Sequence, residues 1–197
     1  MKTALILHGT DGTPQSNWFP WLKAELEKDG YLVWAAALPN AHKPNMELYV
    51  KTLLSTKYDL GSCPMGWDYN KDTLIVGHSS GAVAILGLLQ ALPKDITVGT
   101  CVLVGSFKDD LGWDSLSELF EKPFDFELIK TKAKKFIFVH SDNDPYCPLE
   151  HAEYLSKQVG GELIVLPGQG HFSAELNPEY KEFPRLLEII KEEKEKQ

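Results

Sequence analysis

Three features of the sequence predict a doubly wound α/β fold built on a mostly parallel, six-stranded sheet. Short apolar segments alternate with helical patterns along the whole chain of 197 residues. The apolar segments run almost without interruption by polar residues, which is typical of central strands covered by helices on both faces. No repeat, low-complexity tract or linker divides the chain. We therefore expect a single domain over residues 1–197.

The same patterns give the order of the elements. The short apolar segments predict strands at Ala4–Leu7, Tyr31–Ala37, Leu74–Val76, Cys101–Val104, Phe136–Val139 and Leu163–Leu166. Apolar residues at helical spacing predict helices at Trp18–Lys28, Met46–Leu54, Ala82–Leu92, Leu149–Val159 and Phe183–Lys194. Parallel sheets of this kind bind ligands beyond the carboxyl ends of their strands, where the loops converge. The residues that follow each strand are therefore the candidates for a functional site.

Composition excludes several classes of partner. Twenty basic residues against twenty-eight acidic ones give a net charge of −8, and no dense cluster of Lys or Arg is present to hold a phosphate backbone. Nucleic acid is therefore not an expected partner. No apolar run approaches the roughly 18 residues of a membrane span. The N-terminal MKTALILHG is too short for the hydrophobic region of a signal peptide. We expect a cytoplasmic protein that does not associate with membranes.

The cysteines suggest neither a disulfide framework nor a metal site. Cys63, Cys101 and Cys147 are odd in number and lack the spacing of zinc ligands. Cys101 lies in an apolar strand pattern and is interpreted as a small core residue. We accordingly expect no bound metal and no cofactor.

The clearest chemical motif is GHSSG at residues 77–81, between a predicted strand and a predicted helix. Gly-x-Ser-x-Gly at such a junction is typical of a nucleophile elbow. The glycines let a strand reverse into a helix within about one residue, and Ser79 is left in a strained conformation with its hydroxyl exposed. The alternative is a tight turn without chemistry. The context favours Ser79 as a nucleophile.

A serine nucleophile needs a base and an acid, which follow it along the chain in this order: serine, acid, histidine. His171, in GQGHFS after the last strand, is the candidate base. The acid is one of two aspartates in HSDNDPYCP at residues 140–148. Asp144 is favoured because it precedes a proline that stiffens the turn. Asp142 is then interpreted as a turn residue that bonds to nearby backbone N–H groups.

Two backbone N–H groups are candidates for an oxyanion hole. The N–H of Ser80 belongs to the first turn of the predicted helix, where donors are unpaired. The His8-Gly9-Thr10 turn after the first strand nominates the N–H of Thr10. An ordinary glycine turn is the alternative for this loop. The loop matches neither phosphate-binding glycine pattern, so a nucleotide site is not expected.

Large aromatic residues near the predicted loops are candidates for a substrate pocket. They are Trp18, Phe107, Trp113, Phe124, Tyr146 and Phe172. The alternative for each of them is core packing, since large apolar side chains are usually buried. The chain between Gly105 and Thr131 is long enough only for a small cap. We therefore expect an open site that accepts small acyl groups.

These motifs together resemble a known family. GHSSGA at 77–82, SDNDPYCP at 141–148 and GHF at 170–172 are similar to the compact serine hydrolases related to retinoblastoma-binding protein nine and its bacterial relatives. WFPWLKAELEKDGY, VLVGSFKDDLG and LFEKPFDFELIK extend the likeness along nearly the whole chain. The resemblance implies a minimal α/β-hydrolase fold without a large lid. It also implies hydrolysis of small esters or amides by Ser79, Asp144 and His171.

The sequence departs from the family in two respects. The Leu-x-Cys-x-Glu pattern associated with retinoblastoma binding surrounds none of the cysteines, so we do not expect that partner. The segment CPMGWDYN at Cys63–Asn70 makes the connection before the elbow strand longer. Two alternatives to hydrolysis stay open: a non-catalytic binding or scaffold protein on the same fold, and an acyltransferase or thioesterase that uses the same triad.

Overall fold

The computed structural model describes residues 1–55 and 63–195, and it confirms the predicted fold class. Six parallel strands form one sheet in the order β2-β1-β3-β4-β5-β6. The strands are β1 (Thr3–Leu7), β2 (Leu32–Ala36), β3 (Leu74–His78), β4 (Val98–Val104), β5 (Ala133–His140) and β6 (Glu162–Val165). β3 lies near the centre of the sheet, so the turn that follows it is flanked by the ends of β1 and β4.

The five predicted helices are all present, together with a short sixth one, α4. The helices of the described residues are α1 (Phe19–Lys28), α2 (Met46–Leu54), α3 (Ser80–Ala91), α4 (Phe126–Ile129), α5 (Leu149–Val159) and α6 (Pro184–Glu195). The short α4 and two 3₁₀ helices, Asp114–Leu119 and Pro178–Lys181, have no counterpart in the sequence prediction, because they are too short to show a helical period. None of the helices in the described residues has the length and apolar character that a membrane span needs.

The sheet separates two apolar cores. Alternate residues of β1 point to opposite faces: Ala4 and Ile6 pack in one core, and Leu5 and Leu7 in the other. The first core also receives α1 and α6, and the second receives α2, α3 and α5. Because the residues of β1 are buried on both faces, the strand reads as a continuous apolar run rather than an alternating one.

The Cys63–Asn70 segment packs against the sheet. The indole N–H of Trp67 donates to the carbonyl of Ala4 at 3.0 Å, and its ring meets that of Trp34 edge-on. The hydroxyl of Tyr69 donates to the carbonyl of Leu53 at 3.0 Å. Both aromatic side chains are buried, so this part of the long connection completes the core beside β1.

Candidate active site

The strand-to-helix turn after β3 has the geometry that the sequence predicts. Ser79 separates the last residue of β3 from the first residue of α3, and its φ of 56° and ψ of −124° are unusual for a residue with a side chain. The N–H of Ser79 donates to the carbonyl of Val104 at 2.9 Å, which ties the turn to β4. The strain is maintained by the surrounding structure and leaves the serine side chain partly exposed.

The glycines of the motif are required by close contact with neighbouring backbone. A Cβ atom on Gly81 would lie 2.4 Å from the carbonyl oxygen of His8, and one on Gly77 would lie 2.5 Å from the carbonyl oxygen of Gly81. A Cβ on Gly9 would lie 2.9 Å from the Cβ of Ser79. All three distances are shorter than atomic contacts allow. The serine turn therefore fits only because the adjoining residues have no side chains.

Asp144 and His171 form a hydrogen-bonded pair. His171 Nδ1–H donates to Asp144 Oδ2 at 2.7 Å, and the other carboxylate oxygen accepts the N–H groups of Tyr146 and Cys147 at 2.9 Å each. Burial alone would raise the pKa of Asp144, but the bond from His171 and the two backbone bonds outweigh it and the pKa is lowered. The side chain of Asp144 is thus a buried carboxylate, and in a neutral imidazole this bond makes Nε2 of His171 the acceptor.

The loop that carries Asp144 also holds the loop that carries His171. Three consecutive side chains after β5 accept three consecutive backbone N–H groups of residues 168–170. Gly168 donates to Asp142 Oδ1 at 2.7 Å, Gln169 to Ser141 Oγ at 2.9 Å, and Gly170 to Asn143 Oδ1 at 2.7 Å. The partner of Asp142 is therefore a distant N–H group, not the nearby one that the sequence predicted. No local pattern signals such bonds, because the partners lie more than 25 residues apart.

The oxyanion candidates lie side by side. The hydroxyl of Thr10 donates to the hydroxyl of Ser80 at 3.0 Å, which joins the loop after β1 to the first residue of α3. His8 supports the same loop: its Nε2 accepts the N–H of Leu38, so its Nδ1 carries the proton and donates to the carbonyl of Gly9. Burial lowers the pKa of His8 and keeps it neutral, as this tautomer requires.

Comparisons with known proteins show the family to which the chain belongs. Residues 4–192 match the family described as serine hydrolase. The chain belongs to the serine hydrolase family. The Bacillus subtilis (strain 168) protein YdeN is 30% identical over 172 residues, which cover 87% of this chain and 86% of YdeN. The serine hydrolase RBBP9 of Rattus norvegicus is 24% identical over 193 residues, 95% of this chain and 93% of that protein.

Solved structures give the same result for the fold of this serine hydrolase. The crystal structure of the B. subtilis ydeN gene product matches with a TM-score of 0.85 at 26% identity, over 98% of each chain. Est1E from Butyrivibrio proteoclasticus matches with a TM-score of 0.65 at 18% identity, over 86% of this chain and 79% of Est1E. The α/β-hydrolase fold is thereby established for the enzyme, and its family makes it a hydrolase.

A cavity of about 480 Å³ opens above the carboxyl ends of the strands in the serine hydrolase. Ser79 and His171 line it together with Thr10. Of the aromatic pocket candidates, Phe107, Trp113 and Tyr146 line the cavity. Trp113 and Tyr146 contact each other edge-on, and Tyr146 contacts the ring of His171 in the same way at 5.1 Å. The cavity thus has an aromatic wall that reaches from its rim to the histidine.

Trp18 and Phe172 were predicted as pocket residues, and this prediction is wrong. Both side chains are fully buried in the core that α1 and α6 cover. The indole N–H of Trp18 donates to the carbonyl of Phe172 at 3.0 Å. Phe172 itself stacks on Phe183 at 5.3 Å. Phe124, the sixth candidate, packs between Phe120 and Phe126 rather than on the cavity.

One group of side chains in the described residues could in principle hold a metal ion. Ligand atoms of Asp144, Cys147 and His171 lie within 4.8 Å of one another. However, the nitrogen and oxygen that would bind the ion are already joined by a hydrogen bond of 2.7 Å. Burial and the charge of Asp144 raise the pKa of Cys147 well above its usual value, which opposes the thiolate that a metal needs. These groups suit an acid–base pair better than a metal centre.

Proposed function

We propose that this serine hydrolase cleaves small carboxylic esters or amides through an acyl-enzyme formed on Ser79. Asp144 and His171 complete the triad in this proposal. The observation that carries it is the buried Asp144–His171 hydrogen bond at the wall of a cavity that a strained serine also lines. A serine turn without a catalytic role would need neither the buried carboxylate of Asp144 nor the histidine tautomer that it fixes.

The mechanism follows from the tautomer. Because Nδ1–H of His171 is bonded to Asp144, Nε2 is the atom that takes the proton of the Ser79 hydroxyl. The serine oxygen attacks the substrate carbonyl, and His171 then passes the proton to the leaving alcohol or amine. In the second half, water attacks the acyl group while His171 takes its proton, and His171 then returns that proton to the oxygen of Ser79 as the acid is released. Asp144 stabilises the imidazolium in both halves without becoming protonated.

The backbone N–H groups of Ser80 and Thr10 are proposed as the oxyanion hole. Ser80 begins α3, where N–H groups lack partners within the helix and the helix dipole favours negative charge. The bond between the two side-chain hydroxyls supports this assignment, because it keeps the loop after β1 beside the helix terminus. Donors held before reaction stabilise the developing charge more effectively than water does.

The cavity supports a preference among acyl compounds. Its volume of about 480 Å³ suits a small ligand, and Phe107, Trp113 and Tyr146 offer an apolar wall for the acyl or aryl group. The two charged side chains other than histidine along the described wall are the carboxylates of Asp11 and Glu175. Neutral and cationic esters are therefore proposed to be better substrates than anionic ones.

A fluorophosphonate probe followed by peptide mass mapping tests the proposal. We expect one label, on Ser79, and none in Ser79→Ala, with kcat for a short-chain ester reduced by at least about 10³-fold. Ser106→Ala is the matched control, because that serine is buried, follows Gly105 next to His171, does not line the cavity and has no proposed role. A folded protein that takes no label would favour a binding protein on this fold. If the acyl group were transferred to added amines or thiols faster than it is hydrolysed by water, the protein would be an acyltransferase.

A further inference from the structure

Two histidines outside the proposed triad stand at the ends of strands that lead into its loops. His78 is the last residue of β3 and His140 is the last residue of β5, and both are buried. The Nε2 of His78 lies 2.7 Å from the carbonyl oxygen of His171, and that of His140 lies 2.8 Å from the carbonyl oxygen of Cys147. A carbonyl can only accept a hydrogen bond, so each Nε2 carries a proton and donates it.

Each of these bonds is one step away from a triad residue. His78 holds the main chain of His171 itself, and the two imidazole rings lie 4.7 Å apart. His140 holds the carbonyl of Cys147, the residue whose N–H donates to Asp144 Oδ1. One histidine therefore fixes the backbone of the base, and the other fixes the turn that presents the acid.

Both histidines act as neutral donors, although each leaves a buried nitrogen without a hydrogen bond in the described part of the chain. Burial lowers the pKa of His78 to about 3, with a further contribution from His171, and burial also lowers the pKa of His140. In each ring Nδ1 is buried and has no hydrogen-bond partner among the described residues. An unpaired buried acceptor is unfavourable, so the bond made by Nε2 has to compensate for it. A protonated His78 would also repel the imidazolium that forms on His171 during reaction.

We propose that His78 and His140 are positioning residues that set the orientation of His171 and Asp144; this inference rests on the proposed function. Neither side chain exchanges a proton with the substrate. Their contribution is geometric: without them the 2.7 Å bond between acid and base and the direction of the free Nε2 are no longer held. The effect is expected in kcat rather than in substrate affinity. Although His78 lines the cavity, its Nε2 and that of His140 both donate to backbone carbonyls of the protein.

Substitutions that keep or remove the donor test the inference. Gln places an amide N–H near the position of Nε2, whereas Leu removes the donor at similar volume. We expect His78→Leu and His140→Leu to lose about 10- to 100-fold in kcat per labelled active site, with KM changed less than about threefold. The Gln variants should recover most of kcat. His42→Leu, an exposed histidine outside the cavity, is the control and should behave as wild type.

A spectroscopic readout separates positioning from stability. The proton shared by His171 Nδ1 and Asp144 gives a low-field NMR resonance, which we expect to broaden or move in the Leu variants and to persist in the Gln variants. If a Leu variant does not fold, His78→Asn and His140→Asn replace it, since the shorter amide cannot reach the carbonyl. Folded donor-free variants with wild-type kcat and an unchanged resonance would overturn the inference. Failure of the wild type itself to label would instead refute the proposed function, and this inference with it.

Discussion

The elbow at residues 77–81 and the pair of loops that carry Asp144 and His171 are built in different ways. The elbow depends on backbone packed against backbone, and the positions of Gly77 and Gly81 have no room for a Cβ atom. The two loops depend on side chains that bond to backbone groups far away in the sequence. Ser79, the proposed nucleophile, is thus positioned by close packing around a local motif, and the proposed acid–base pair by long-range hydrogen bonds. Substitutions should affect the two regions differently.

The largest expected difference is between the two aspartates of one loop. Asp144→Asn keeps the shape but loses the charge and permits the wrong histidine tautomer, so we expect kcat to fall by about 10³- to 10⁴-fold. Asp142→Asn retains an oxygen for the N–H of Gly168, so its loss should stay below about 10-fold. Steady-state kinetics with a short-chain ester measures both. Equal losses would show that the loop as a whole, rather than the Asp144 carboxylate, determines activity.

Substitutions at the glycines of the elbow should reduce the stability of the protein. A Cβ at position 81 would lie 2.4 Å from the carbonyl oxygen of His8, and backbone can move only if β1 and α3 separate. We expect Gly81→Ala to lower the free energy of unfolding by about 3 kcal/mol or more. Gly112→Ala is the control: its φ is +74° but no atom lies near its Cβ, so about 1 kcal/mol is expected. Urea unfolding curves compare the two variants, and similar losses would argue against backbone contact as the cause.

The smallest effect is a dependence of stability on pH that comes from the buried histidines. The pKa of His78 is 6.5 when unfolded and about 3 when folded, so between these values the unfolded chain binds one proton more than the folded one. The contribution of neutral His78 to stability is therefore fully present only above about pH 6.5. Below that pH, the free energy of unfolding should fall by about 1.4 kcal/mol per pH unit from this residue alone. The pKa of His8 and that of His140 are lowered too and act in the same direction.

Urea unfolding between pH 7.0 and pH 4.5 measures this slope. Gln at position 78 cannot take up the proton. The dependence of the free energy of unfolding on pH should therefore be weaker in His78→Gln than in wild type, by the amount that one bound proton contributes. Asp144 adds to the loss only at lower pH, because its pKa is depressed on folding and its contribution disappears as pH falls through the folded value. An unchanged slope in His78→Gln would mean that His78 is not kept neutral in the folded protein.

Much of the fold could be predicted from the pattern of apolar residues. Every predicted strand and helix is present, although β4 and β5 begin about three residues earlier than predicted, at Val98 and Ala133. Ends of strands are set by pairing with neighbours, which the apolar pattern does not report. The short helix Phe126–Ile129 was not predicted, since one turn shows no period.

By itself, the sequence determined the parallel sheet, the serine turn after β3 and the order of the candidate serine, acid and histidine, because continuous apolar runs and glycine spacing are local properties of the chain. Only the tertiary structure decided that Trp18 and Phe172 are core residues and that Asp142 bonds to the loop of the histidine. It alone showed that His78 donates to the backbone of His171. The physical reason is the same in each case: burial and hydrogen-bond partners depend on segments that are distant along the chain and adjacent only after folding.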